Sequence, residues 1–231
     1  MASPRSSSAE GAAVVIGGKS QDKGLRAIDE MGVGDRATFL QCDVRREEDV
    51  NNLVDEAAKR YGSADILVNN AGGSDRWALV HELSDEAWQN ALDLNLNAVF
   101  WGTRRALKYM LERGWGRIIN ISSVEGKQAN KPAVSHYITN KHAINGFTKA
   151  VAHEYGPRGI TCNAICPGAV ETDLMMEAGA DRRGAGRHHL RTVPGQLCAG
   201  SGDQAAQHRR RGRGNGGAAG ERGRRWYHRR R

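Results

Sequence analysis

The chain has 231 residues, with 34 Lys and Arg against 26 Asp and Glu and a formal net charge of +8. That length suits one ordinary domain with a real core. No run of about eighteen apolar residues occurs, which excludes a membrane span, and the opening Met1-Ala-Ser-Pro-Arg-Ser-Ser-Ser8 lacks the apolar stretch of a secretory signal. The charge is unevenly spread. Residues 181–231 hold 14 Arg against Asp181, Asp203 and Glu221, so +11 sits there and −3 on the rest of the chain. The four cysteines, Cys42, Cys162, Cys166 and Cys198, show no metal-type pairing. Cys162 and Cys166 flank an expected strand end and read as small core residues. No metal is expected, and a reducing, cytoplasmic setting fits.

In chain order, residues 11–16 form a short apolar run suited to a buried parallel strand. A helix over 21–31 leads to a strand at 37–41. Residues 47–61 have helical periodicity, with Val50, Leu53, Val54 and Ala57 on one face. The run 65–69 reads as a buried strand that ends in the small, polar turn Asn69-Asn-Ala-Gly72. A long helix, bent along its length, is expected over 85–112, a buried strand over 116–121, a helix carrying Tyr137 up to Tyr155, and a strand over 159–165. Alternation of this kind implies a parallel sheet covered by helices on both faces. The fold class is therefore α/β, a Rossmann-like doubly wound sheet with its ligand crevice at the carboxyl ends of the strands.

Chemistry concentrates in Tyr137-Ile-Thr-Asn-Lys141, with Ser122-Ser123 one short loop upstream. A Tyr and a Lys four apart share a helix face one turn apart. A free phenol, with a pKa of about 10, exchanges protons poorly at neutral pH, and a neighbouring cation favours its ionised form. A Ser hydroxyl in reach could hydrogen-bond a carbonyl or alcohol oxygen. Such a group suits proton transfer at a C–O bond, although Tyr and Lys at this spacing also occur on ordinary surface helices.

Three further segments are Asp65-Ile-Leu-Val-Asn-Asn-Ala-Gly72, Leu94-Asn-Leu-Asn-Ala-Val-Phe100 with Asn95, and Cys162-Asn-Ala-Ile-Cys-Pro-Gly168 followed by Thr172. In this order and spacing, from about residue 11 to 179, the set resembles the classical short-chain dehydrogenase/reductase family. The resemblance implies an oxidoreductase that uses NADP or NAD to interconvert a secondary alcohol and a ketone. Carried over by position, Tyr137 would be the general acid/base, Lys141 would lower its pKa and hold the nicotinamide ribose, and Ser123 would orient the substrate oxygen beside Ser122. Asn95 would support a relay water. Asn69, Ala71 and Gly72 would lie along the cofactor, Asp43 and Val44 near the adenine, and Pro167, Gly168 and Thr172 beside the nicotinamide. The spacing from Ser123 to Tyr137 is one residue longer than the commonest family pattern, and the loop between them can absorb the insertion. The resemblance also implies a homodimer or homotetramer acting on a small alcohol or ketone. After the strand at 11–16, Gly17-Gly-Lys-Ser20 offers Lys19 and no acid. Since an acid there usually binds the ribose 2′-hydroxyl of NAD, this leans towards NADP, although Lys19 also reads as a solvated loop charge. His81 is expected on a loop or helix start after the turn at 69–72, with lining a substrate mouth as the alternative, Trp101 in the long helix as an interface or core residue, and Trp77 without a role in the chemistry.

Two expected parts are missing. Residues 1–10 read as an unrelated leader, without the opening strand and Gly-rich turn whose helix N-terminus would hold the pyrophosphate. Beyond residue 179 the pattern collapses into an Arg- and Gly-rich stretch, 180–231, expected to be disordered and to omit the last strand. Shifted forward one base, codons permitted for Trp226-Tyr-His-Arg229 read Gly-Ile-Thr-Gly, like the closing motif of the family. The same shift from Gln207 permits an amphipathic helix. A frameshift near Ala180 is therefore expected, with the domain proper at 11–179. Two alternatives stand beside the enzyme: an inactive truncated remnant with weak or absent cofactor binding, and nucleic-acid binding through Arg209-Arg-Arg-Gly-Arg213. The second lacks a folded platform, and no specific nucleic acid is expected.

Overall fold

The computed structural model describes residues 11–74 and 76–168. Among them strands and helices alternate: β1 Val14–Gly18, α1 Gln21–Met31, β2 Ala37–Gln41, α2 Glu47–Tyr61, β3 Ile66–Asn69, α3 Asp85–Leu92, α4 Ala98–Arg113, β4 Gly116–Ile121, α5 Ser135–Tyr155 and β5 Ile160–Ile165. Local chemistry sets the helix ends. Ser20 accepts from the Lys23 amide at 3.4 Å to start α1, and Gly32, in the left-handed region at φ 62°, stops it. Ser84 caps α3 through the Ala87 amide at 3.2 Å. The first turn of α2 carries Glu47, Glu48 and Asp49 and its last turn Lys59 and Arg60, each matching the helix dipole.

The bend expected in the long helix is a π-helical turn, Asp93–Asn97, between α3 and α4. The wider turn interrupts regular packing at Asn95, and such bulges often mark functional positions.

Every strand pair is parallel. β1 pairs with β2 with Val14 opposite Ala37, β3 pairs with β4 with Ile66 opposite Arg117, and β4 pairs with β5 with Gly116 opposite Ile160. Among the described residues these make two sheets, β2-β1 and β3-β4-β5, with no strand joining β1 to β3. In the strand order 3-2-1-4-5-6 of doubly wound sheets, the break falls where the first strand belongs. One expectation is corrected here. The segment at 65–69 does form a strand, but Ile66 and Val68 are 57% and 51% exposed. Parallel strands are buried because both faces and both edges are covered, and β3 has a hydrogen-bonded neighbour on one side only among the described residues. The expected leader at 1–10, the expected disorder of 180–231 and the expected loss of the last strand lie outside the described residues.

The core is built from Val54 of α2, Ala106, Leu107 and Met110 of α4, Ile118 of β4, Val151 of α5, and Ile160 and Cys162 of β5. It anchors β4 and α5, the two elements that carry the chemical motif. Gly159 turns the chain into β5 at φ +79°, and a side chain there would strike the Gly114 carbonyl.

Candidate active site

Tyr137 is the third residue of α5, and Lys141 follows one turn later. Lys141 is buried. Its Nζ donates to the Ile121 carbonyl at 2.8 Å, at the carboxyl end of β4, and lies 5.5 Å from the centroid of the Tyr137 ring. Burial pushes the lysine pKa down from its ordinary 10.5 to about 8. At pH 7 the group therefore still carries its charge.

The serines leave β4 beside this pair. Ser122 Oγ donates to the Lys141 carbonyl at 3.1 Å, and its amide donates to the Ile165 carbonyl at 2.8 Å. Ser123 Oγ accepts from the Glu125 amide at 3.2 Å. The Val124 amide donates to the Pro167 carbonyl at 2.9 Å, which brings the ends of β4 and β5 together. A side chain on Gly126 would meet the Lys141 carbonyl at 2.7 Å, so glycine permits this loop to lie against α5.

Asn95 is fully buried on the π-helical turn. Its amide nitrogen donates to the carbonyls of Ala91 (3.0 Å) and Gly73 (2.9 Å), and its oxygen accepts from the Gly73 amide at 3.0 Å. Gly72 completes the group, because a Cβ there would stand 2.9 Å from Asn95 Oδ1 and 3.2 Å from Lys141 Nζ. Gly72, Asn95 and Lys141 thus converge at the carboxyl end of β3. Asn69 serves the sheet: its amide donates to Asn120 Oδ1 at 2.8 Å and Thr103 Oγ1 at 3.3 Å, and Asn120 in turn donates to Thr148 Oγ1 at 2.9 Å.

At the ends of β1 and β2, Lys19 Nζ lies 3.3 Å from Asp43 Oδ2. Asp43 is also gripped by Arg45, whose hydrogen bonds hold its carboxyl well below the usual carboxylate range. Lys19, Gln41, Asp43, Arg46 and Asp49 line an open cleft, with Val44 half-buried beside it. Ala71 and Gly168 are exposed on the strand ends, and Thr172 lies outside the described residues. No cluster of metal-binding side chains occurs among the described residues. No helix there is long and apolar enough to cross a membrane.

The sequence of residues 4–183 matches the family model described as short chain dehydrogenase. The chain belongs to that family. It is 40% identical over 173 residues to a 3beta-hydroxysteroid dehydrogenase of Mediterraneibacter gnavus, covering 74% of this chain and 62% of that one. It is 45% identical over 152 residues to a putative ketoacyl reductase of Streptomyces coelicolor, covering 65% and 57%. Among solved structures, a variant of actinorhodin polyketide ketoreductase with NADPH superposes with a TM-score of 0.73 at 38% identity, over 80% of this chain and 71% of that chain. ElxO with NADP bound gives 0.67 at 31% identity, over 74% and 69%. The chain spans 62%, 54% and 57% of the length of the first three curated relatives.

Family motifs alone did not flag three residues that the structure places beside Tyr137 and Ser123. His136, Asn140 and Glu125 are all buried. Glu125 accepts from the Asn130 amide at 3.0 Å and closes the loop before α5. His136 meets Ser74 Oγ at 3.1 Å. Position next to Tyr137 was the available signal for His136. For Glu125 there was none, because a charged residue in a Gly-containing loop reads as solvated. His81 lies in a short helical turn, Val80–Glu82, exposed and 3.7 Å from Glu82.

Proposed function

We propose that this chain is an oxidoreductase that interconverts a secondary alcohol and a ketone with NADP or NAD. The observation that carries the reading is the convergence of Lys141 with Tyr137, Asn95 and Gly72. A charged lysine fixed by Ile121 beside a phenol is suited to move a proton at an alcohol or carbonyl oxygen. Tyr137 acts as the general acid/base. Ser123 holds the substrate oxygen, and Ser122 locks the Lys141 turn in place. Asn95 keeps the Gly73 backbone at fixed distance from Lys141 and supports a relay water.

The residues fit a nicotinamide cofactor at two ends. Gly72 leaves open the space that a side chain would fill between Asn95 and Lys141, and Asn69, Ala71, Gly72, Pro167, Gly168 and Thr172 would border the nicotinamide and its ribose with Lys141. Lys19, Asp43 and Val44 would meet the adenosine end, and Lys19 with no acid in 17–20 favours the 2′-phosphate of NADP. A helix N-terminus for the pyrophosphate is not among the described residues. When bound, the cofactor supplies or accepts the hydride. Similarity to structures holding NADPH and NADP supports this choice. The named relatives act, by their names, on hydroxysteroids and ketoacyl groups, which supports a small-molecule alcohol or ketone as partner, with a homodimer or homotetramer as the assembly and the cytoplasm as the setting.

Incubating the chain with a ketone and a reduced cofactor deuterated at both nicotinamide C4 positions tests the reading. Deuterium on the carbinol carbon supports it, and unlabelled alcohol or no alcohol contradicts it. A second reading, a core that folds without turning over, is favoured by the half-exposed β3. It predicts no alcohol even at millimolar cofactor.

A further inference from the structure

The helix that carries Tyr137 starts without a cap. Val134 precedes it and makes no side-chain cap hydrogen bond, unlike Ser20 and Ser84 at the starts of α1 and α3. The first four amides of a helix have no partner within it, and first turns open most readily. Tyr137 sits in that turn, so something other than a cap must hold it.

Two contacts reach this turn from the segment after β3. The Ala78 amide donates to the Ala133 carbonyl at 3.0 Å. His136, 1% exposed and adjacent to Tyr137, meets Ser74 Oγ through Nε2 at 3.1 Å. Ser74 spends its single hydroxyl proton on the Arg76 carbonyl at 2.9 Å. The Ser74–His136 bond therefore needs His136 Nε2 as donor, which fixes the neutral imidazole as the Nε2–H tautomer. Ala133 is the one non-glycine residue at positive φ (63°) among the described residues. An alanine in the left-handed region is strained, and strain of this kind persists only where neighbours over-determine the backbone.

We propose that Ser74 and His136 form a latch that positions Tyr137, with Ala133 as the turn that presents its carbonyl to the same segment. Both are positioning residues: they act on the proton-transfer step by fixing the first turn of α5, not by touching substrate. The inference rests on the reading of Tyr137 given above. It also couples the segment that displays Trp77, Leu79 and Val80 at the surface to the placement of the phenol.

The full chain is compared with Ser74→Ala, His136→Leu, the double variant, and His136→Gln, whose amide nitrogen can reoccupy the place of Nε2. Hydrogen exchange at the Ile138 amide, which donates to the Val134 carbonyl at 3.0 Å, reports the first turn without any need for activity. Exchange there should quicken about tenfold in Ser74→Ala and His136→Leu, no further in the double variant, and return towards the parent rate in His136→Gln, with β4 amides unchanged. At saturating cofactor, kcat should fall about tenfold in either single variant, with cofactor Kd unmoved and the double variant no worse. Unchanged Ile138 exchange, or kcat losses that multiply in the double variant, overturn the latch. If the parent shows no turnover but the exchange pattern appears, the latch stands as structure and the oxidoreductase reading falls.

Discussion

At the residue scale, Lys141 carries a cost that its chemistry explains. Its pKa is held down to about 8 by burial, so the unfolded chain, with a value near 10.5, binds this proton more tightly. The penalty is fully present below pH 8 and disappears as pH rises from about 8 to 10.5. The shift corresponds to about 3 kcal/mol. Lys141→Met should therefore gain on the parent by about 3 kcal/mol more at pH 7 than at pH 10.5, read from urea midpoints of both proteins at both pH values. An equal difference at the two pH values would show that Lys141 is not desolvated. Lys19 has the opposite character, exposed and 3.3 Å from Asp43. Lys19→Ala should reduce the ratio of NADP to NAD affinity about fivefold, roughly 1 kcal/mol, measured by calorimetric titration with each cofactor.

At the element scale, the start of α5 and the open strand β3 give contrasting expectations. Ala133→Gly relieves a left-handed alanine and should raise stability by about 1 kcal/mol, seen as a higher urea midpoint. A lower midpoint would mean that Ala133 relaxes in solution. Met110, 1% exposed in the core, should cost about 2–5 kcal/mol when cut to Ala. Val68→Ala, at a residue 51% exposed, should cost under about 1 kcal/mol. Equal losses at the two sites would show that β3 is covered in solution. These elements were unequally legible in the sequence. The 3.6-residue periodicity of α2 and the apolar run of β4 fixed their bounds, because burial on one face leaves a pattern. The exposure of Ile66 and Val68 left none, since it depends on which strand lies alongside. The π-helical turn at Asn95 was legible only as a bend, because its extra residue per turn shows in backbone hydrogen bonds and not in residue type.

At the scale of the whole molecule, the family, the pairing of Tyr137 with Lys141 and the contact of Ser122 with the Lys141 carbonyl were readable because fixed spacing on a helix and a loop after a strand is local information. The Ser74–His136 contact spans 62 residues in sequence and became visible only once β3 and α5 were placed together. The same limit applies to the cofactor. Its two ends have candidate partners in Gly72 with Lys141 and in Lys19 with Asp43, and neither pair could be matched to the other from the sequence. Turnover is best measured at millimolar NADPH deuterated at both nicotinamide C4 positions. The central claim is that Tyr137 moves the proton. The decisive measurement is single-turnover reduction of a ketone by the parent chain and by Tyr137→Phe under those conditions. The account predicts deuterium-labelled alcohol from the parent and a rate lower by about 10²-fold or more in the variant. Equal rates in the two proteins would contradict it.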